Sequence, residues 1–263
     1  MAKSLSFVLP AFNEEANIAE SIRRGCSVLA RLEHQGLIAE WEIVVVDDGS
    51  CDGTVARARG MVKPRVRVVS HAENLGYGAA LRTGFDAAQG ELVFFTDADL
   101  QFDVEELDRL VPFIDEFDIV AGVRSPRQDP WMRRANAVAW AMALYGAFGL
   151  DVQDVNCAFK LFRAEVFDGL SISSDGAFVN AEILLKSAQR GFTIRQVPVS
   201  HFARPAGEQT GADPKVVLRA IRELARFYRR RNDPANVFPE AHISLENTQS
   251  LRTQLLFEHF QSI

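Results

Sequence analysis

The sequence predicts an α/β fold in which a mostly parallel sheet is flanked by helices. Three observations predict it. Short apolar runs alternate with helix-like segments along the first half of the chain. The runs are rich in β-branched residues and stop at polar turns, as Ile43 to Asp47 stops at Asp48-Gly49-Ser50. Polar residues then gather at three strand ends, Asn13-Glu14, Asp47-Asp48 and Asp97/Asp99, which is where open parallel sheets meet their ligands.

The elements follow in order. Ser6 to Pro10 reads as a buried strand, and Asn13 to Leu32 as a helix with Glu14 and Glu15 in its first turn. Ile43 to Asp47 is a strand, Thr54 to Met61 a short helix and Val66 to Val69 a strand. Gly78 to Gln89 is a helix stopped by Gly90. Leu92 to Thr96 is a strand, Val104 to Phe113 is helical, and Asp118 to Ala121 is strand-like. The character changes after Arg124. An uncharged helix over Ala135 to Leu150 follows, then a strand over Phe159 to Phe162, a helix over Phe178 to Arg190 and a strand over Thr193 to Val199. Lys215 to Arg231 is an amphipathic helix, with Val217, Ile221, Leu224 and Tyr228 on one face and Arg219, Arg222, Arg226 and Arg229 on the other.

Bulk properties narrow the function. A chain of 263 residues suits one large domain with a small appendage. The formal net charge of −6 argues against a nucleic-acid partner held by bulk electrostatics. Three widely spaced cysteines make neither a disulfide framework nor a zinc site, so a reducing cytoplasm fits. No secretory signal is expected at the N-terminus. The longest uncharged run falls short of the roughly 20 residues of a spanning helix, so no transmembrane helix is expected.

Asp97-Ala98-Asp99 carries the sharpest chemistry. Two carboxylates separated by one small residue on a loop can approach one hard cation, and Gln101 can add an amide oxygen. Mg²⁺ or Mn²⁺ held there, with substrate phosphates completing its shell, stabilises a departing diphosphate. A pair of aspartates in a turn serves equally as capping or solvated groups, so the motif gains its weight from its surroundings.

Those surroundings form a set. Leu9-Pro-Ala-Phe-Asn-Glu14, Val45-Val-Asp-Asp-Gly-Ser50 with Asp52-Gly-Thr54, Asn74-Leu-Gly-Tyr-Gly-Ala79 and Thr96-Asp-Ala-Asp-Leu-Gln101 occur in order. Gly122-Val-Arg124, Asp154-Val-Asn-Cys-Ala-Phe-Lys-Leu-Phe162 and Arg204-Pro-Ala-Gly-Glu208 follow. Together they resemble the family 2 glycosyltransferases of the GT-A, Rossmann-like fold, and within them the dolichyl-phosphate mannose synthase-like branch of polyprenyl-phosphate sugar transferases. The resemblance covers about residues 5 to 212. It implies a GT-A domain over residues 1–212, an appended basic helix over 213–231 and a tail over 232–263 without an assigned role. It also implies an inverting, metal-dependent transfer from a nucleoside-diphosphate sugar, of the GDP-mannose or UDP-glucose type, to a polyprenyl or dolichyl phosphate. Pro10, Phe12, Glu14, Val45 and Asp47 would then hold the donor's base and ribose. Asp97, Ala98, Asp99 and Gln101 would hold metal and diphosphate, and Arg124 and Arg204 would meet phosphates. The chain departs from the family at Gln209-Thr210, where a Ser-Lys pair is common, and at Cys157-Ala158, where Ser/Thr-Gly is common.

The acceptor is read from charge. A phosphate monoester has a second pKa of about 6 and needs cations rather than a general base. Arg124, Arg127, Arg133 and Arg134 cluster after the expected site and supply them. A hydroxyl acceptor on a soluble glycan or small molecule would need a base, for which Asp154 is the candidate, although a capping aspartate fits the position as well. A non-catalytic nucleotide-sugar-binding subunit is a third alternative, opposed by the intact pair of aspartates. The Ala135 to Leu150 helix, with Trp131, Trp140 and Tyr145 about it, either lies on a membrane surface or packs as core. The Lys215 to Arg231 helix either rests on anionic lipid or is solvated. Membrane contact is expected to be peripheral.

Overall fold

The computed structural model describes residues 2–125, 131–206 and 214–229, and for 131–134 and 214–217 the backbone alone. Its organising element is β1 (Leu5–Ala11), buried at every position. A strand that reads as a continuous apolar run has to be covered on both faces and paired on both edges. β1 pairs in parallel with β2 (Trp41–Asp47) on one side and with β4 (Leu92–Thr96) on the other. β3 (Val66–Ser70) extends the sheet beyond β2. Past β4 comes β6 (Phe159–Arg163), antiparallel to both β4 and β5 (Ile119–Arg124). β7 (Ile194–Val199) closes the series in parallel with β5. Among the described residues the order is β3-β2-β1-β4-β6-β5-β7, a seven-stranded, mainly parallel sheet.

The helices cover the sheet because their apolar residues fall on one side. α1 (Ile18–His34) buries Ile18, Ile22, Val28, Leu29 and Leu32. α2 (Thr54–Gly60) buries only Thr54 and Ala58. α3 (Tyr77–Ala87) comes close to β1 and β2 at Gly84, where a Cβ would meet Val8 and Val46. α5 (Val179–Gln189) is almost entirely buried. The aromatic core runs through Phe7, Phe94 and Phe159, whose ring centroids lie 4.9 and 4.8 Å apart in sequence.

Gly78 marks a tight approach. A Cβ there would lie 1.9 Å from the Ser174 carbonyl oxygen, and the Gly78 N–H already donates to Asp175 O. Gly78→Ala must push backbone against backbone. It is expected to cost about 1–3 kcal/mol, read as a lowered urea midpoint at unchanged m-value.

Two expected elements differ. The first helix begins at Ile18 instead of Asn13, because Asn13 takes φ 55° and turns the chain. Glu14 and Glu15 therefore sit in the turn before the helix, facing Arg204 and Arg57. The segment from Val104 to Phe113 forms two 3-10 turns, Val104–Arg109 and Val111–Phe113, separated by Leu110.

α4 (Trp131–Phe148) and α6 (Pro214–Arg229) stand apart from the other helices. α4 carries no charge after Arg134, yet among its described side chains only Ala141 and Leu144 are buried. It is therefore not the core helix that its composition allows. α6 turns Ala220, Glu223, Leu224 and Phe227 inward. Of the apolar face expected from sequence, only Leu224 among the described side chains packs inward, while Ile221 and Tyr228 are exposed. The arginines do not explain the rotation. The aromatic contacts of Phe227 with Phe178 and Phe148 do, because they fix which side of the helix meets the domain.

Candidate functional site

Strand order locates the site. The chain runs outward from β1 to β2 and β3, then returns to the other side of β1 as β4. Ligands of open sheets bind at such a reversal, beyond the carboxyl ends of the strands. Phe12 to Glu14 leave β1 there, and Asp97 to Gln101 leave β4 there. β6 runs the opposite way, so the turn that precedes it, Asp154 to Ala158, reaches the same edge.

The β4 loop is strained and enclosed. Leu100 adopts φ 60°, which a branched residue rarely does, and functional loops often hold such conformations. Asp97 Oδ1 accepts from the Tyr77 hydroxyl at 2.9 Å, and no described group bonds its Oδ2. Asp99 Oδ1 accepts the Gln101 N–H at 3.1 Å. Burial, followed by the charge of Asp99, raises the Asp97 carboxyl to about 7. Burial raises Asp99 as well. These two carboxylates repel each other in a poorly hydrated loop, and a bound cation would relieve both. Gln101 gives its amide nitrogen to Phe202 O at 3.1 Å, so its amide oxygen is the atom left for a cation. Ala98 is buried, and its carbonyl accepts from Ser21 on α1 at 2.7 Å.

Across the crevice, Arg204 reaches both halves. It donates to Glu14 Oε1 at 2.5 Å and to Ala206 O at 2.6 Å, and stands 3.8 Å from Asp99 Oδ2. Burial raises the Glu14 carboxyl, against the lowering effect of Asn17 and Arg204. The structure thus joins Glu14, Asp99 and Arg204, far apart in sequence. Phe12 is 43% exposed at the mouth. Pro10 and Val45 are buried within their strands, and Val45 has no accessible surface, so its side chain is core. Asp47 ends β2 with its Oδ1 buried and unbonded among the described residues. Asp48 turns elsewhere, holding the N–H groups of Leu75 and Gly76 and the His71 ring.

The second half of the site lies two strands from Asp97, roughly 10 Å away at the usual strand spacing. Arg124 ends β5 and donates to both carboxylate oxygens of Asp154 at 2.7 Å. Asp154 is 3% exposed. A carboxylate gripped on both oxygens orients its arginine and is a poor proton acceptor. The side chains of Arg133 and Arg134 lie outside the described residues, as do Arg127, Glu208 to Thr210 and the whole of 232–263.

Three residues were not singled out by their types and spacing. Tyr77 holds Asp97. Lys160 is buried at 1% exposure in the middle of β6, and Asn180 on α5 accepts from it at 3.1 Å. A lysine inside an apolar strand is the one such signal that the sequence displays.

Comparison with known proteins agrees with this geometry. The undecaprenyl-phosphate 4-deoxy-4-formamido-L-arabinose transferase of Pseudomonas fluorescens is 34% identical over 210 residues, 78% of this chain and 59% of the relative. The dodecaprenyl-phosphate galacturonate synthase of Rhizobium johnstonii is 30% identical over 212 residues, 77% of this chain and 60% of the relative. The chain thus spans about three-fifths of the length of these curated relatives. Both relatives are named for polyprenyl-phosphate products or acceptors, the branch to which the sequence motifs pointed.

Among solved structures, glucosyl-3-phosphoglycerate synthase from Mycobacterium tuberculosis, in complex with Mn²⁺, UDP-glucose and phosphoglyceric acid, superposes with a TM-score of 0.64. It is 25% identical, over 86% of this chain and 80% of that one. Mannosyl-3-phosphoglycerate synthase from Rubrobacter xylanophilus shares the fold at a TM-score of 0.64 and 18% identity, over 87% and 75% of the two chains. The family model for glycosyl transferase family 2 matches residues 6–170, from the first residues of β1 to the segment after β6. The aspartate pair and Arg124 lie within the residues that the match covers, and the chain belongs to glycosyl transferase family 2.

Proposed function

We propose that this chain is an inverting, metal-dependent glycosyltransferase that moves a sugar from a nucleoside-diphosphate sugar to a polyprenyl phosphate. The carrying observation is the pair of half-buried Asp97 and buried Asp99 at the strand-order reversal, with an arginine site on either side. Hard oxygen donors on one loop suit Mg²⁺ or Mn²⁺. Such a cation would complete its shell with water and diphosphate oxygens. When bound, the cation offsets charge on the departing nucleoside diphosphate.

The chain's own residues do the rest. Phe12 offers an exposed ring to the base, and the unbonded Asp47 Oδ1 offers an acceptor to the nucleoside. Arg204 exchanges Glu14 for a phosphate oxygen. Arg124, held rigid by Asp154, receives the acceptor phosphate, with Arg133 and Arg134 as further cations. An acceptor phosphate is already anionic at pH 7 and needs no base, which agrees with the commitment of Asp154 to Arg124. Attack from the side opposite the diphosphate inverts the anomeric carbon. The relatives named for undecaprenyl and dodecaprenyl phosphate support this acceptor, and the neighbour holding Mn²⁺ and UDP-glucose supports the donor and the cation.

The test is transfer by the purified chain from labelled GDP-mannose and UDP-glucose to undecaprenyl phosphate in micelles. A lipid-linked product that disappears with EDTA is expected. Transfer only to a soluble hydroxyl acceptor, such as phosphoglyceric acid, would overturn the lipid acceptor.

The proposal includes peripheral contact with the cytoplasmic membrane face. No helix among the described residues is long and apolar enough to cross a membrane. Val138, Met142 and Tyr145 on α4 are exposed at i, i+4 and i+7, and Leu218, Ile221 and Tyr228 on α6 are exposed at i, i+3 and i+10. The two helices meet where Phe148 touches Tyr228, with centroids 5.7 Å apart. Arg222, Arg226 and Arg229 border this apolar surface, and each basic residue near anionic lipid contributes about 1 kcal/mol. None of the three cysteines forms a disulfide, in keeping with a reducing compartment. The chain is expected to float with phosphatidylglycerol vesicles and not with phosphatidylcholine ones. Met142→Glu with Ile221→Glu should abolish flotation while the Tm stays within about 2 °C.

A further inference from the structure

A buried file of polar side chains, Lys160, Asn180 and Tyr77, links the two halves of the site, and none of the three meets a ligand in the reading above. It begins at Lys160, whose ammonium donates to the carbonyls of Val155, at 3.0 Å, and Cys157, and to Asn180 Oδ1 at 3.1 Å. An ammonium only donates, so the lysine fixes the orientation of the Asn180 amide and turns its nitrogen the other way. The Asn180 side chain stands beside the Tyr77 hydroxyl, where it opposes the rise that burial and Asp97 impose on that phenol. The Tyr77 hydroxyl donates to Asp97 Oδ1 at 2.9 Å. The three side chains thus stand in file between the buried cation and the carboxylate. This leaves Asp97 Oδ2 as the oxygen facing the crevice.

At its other end the same ammonium ties down the turn before β6. Val155 and Cys157 flank that turn, and Asp154 begins it, gripping Arg124 through both carboxylate oxygens. Lysine and asparagine are 1% and 5% exposed, and β6 and α5 hold them in well-packed surroundings.

We infer that Lys160 is a positioning residue that sets both halves of the site: through Asn180 and Tyr77 it aims Asp97 at the cation, and through the 154–157 turn it aims Arg124 at the acceptor. The inference rests on the reading of Asp97 and Asp99 as the metal pair. The alternative is a buried lysine that stabilises the fold and nothing more. That alternative predicts lower stability in Lys160→Met, and neither weaker cation binding in Tyr77→Phe nor a change confined to one half of the site.

The experiment uses the full chain and needs no substrate. Mn²⁺ binding is titrated by water-proton relaxation, and the Arg124 Nε–H is followed by ¹⁵N NMR in the metal-free protein. Tyr77→Phe and Asn180→Leu are expected to weaken Mn²⁺ binding about five- to tenfold, in the range found for groups that orient metal ligands. Both should keep the slowly exchanging Arg124 Nε–H signal. Lys160→Met should weaken Mn²⁺ binding to the same extent and lose that signal as well. Mn²⁺ binding within twofold of wild type in both Tyr77→Phe and Asn180→Leu would overturn the inference, even if Lys160→Met fails to fold. So would a folded Lys160→Met that keeps the Arg124 signal. A wild-type chain that binds no Mn²⁺ overturns the metal reading itself, and this outcome is distinct because it requires no variant.

Discussion

Asp97→Asn is expected to abolish transfer while making the metal-free protein more stable at pH 8. The activity loss follows from the proposed role: removing one group that stabilises charge in the transition state costs roughly 10²–10³-fold. The stability gain follows from burial. Asp97 is raised from an ordinary value of 3.8 to about 7, first by burial and then by Asp99. A carboxyl raised on folding binds its proton more tightly in the native state. Its contribution to stability is fully present below about pH 4 and is lost as pH climbs to about 7. The metal-free wild type should therefore lose on the order of 2 kcal/mol across that window, which Asp97→Asn should not. Mn²⁺ with a nucleoside diphosphate should reverse the order, because a ligand stabilises only the form that binds it. Thermal melts at pH 5 and pH 8, with and without Mn²⁺, check all four corners. A variant less stable than wild type at pH 8 without metal would show that the aspartate has a structural role.

Glu182→Ala is expected to have the largest effect on stability, about 3–5 kcal/mol by urea unfolding. Glu182 on α5 has no exposed surface. It accepts from the N–H groups of Ser173 and Ser174 and from the Ser173 hydroxyl, and it pairs with Lys186 at 2.6 Å. Burial alone would raise its carboxyl, but these partners outweigh burial and hold it below the usual value. Alanine would leave two backbone donors without their acceptor and a half-buried lysine without its charge. The damage should spread, since the neighbouring Asp175 receives Gly78 N–H on α3 and faces Arg82 and Arg219. Lys186→Met, which leaves the carboxylate with its N–H donors, should cost less.

The strands were legible because buried parallel strands are short apolar runs with sharp polar ends. Leu92–Thr96 coincides with its expected limits for that reason. The aspartate pair was legible for the same reason, lying just past such a run. Strand direction was not legible, since an apolar run such as Phe159–Arg163 reads alike in either sense, and only its partners make β6 antiparallel. The start of α1 was hidden by Asn13, whose φ of 55° is a property of the turn and not of its composition. The inward side of α6 was misread because periodicity gives a stripe without saying what the stripe meets. Phe227, at the border between the two expected stripes, is the residue that packs. The partnership of Glu14 with Arg204 spans 190 positions and exists only in three dimensions.

The reversed strand has one more consequence. β5 and β6 are antiparallel neighbours, so everything from residue 125 to residue 158 is a single excursion from a β-hairpin. Its base is closed by the pairing of Ala121 with Lys160, whatever the excursion contains. The closure cost of such a loop rises only with the logarithm of its length. Arg133, Arg134, α4 and Asp154 therefore form an exchangeable cassette, bordered by Arg124 and Lys160. On the proposed reading, rewriting this insert would exchange the acceptor while the donor half, on β1, β2 and β4, kept its register.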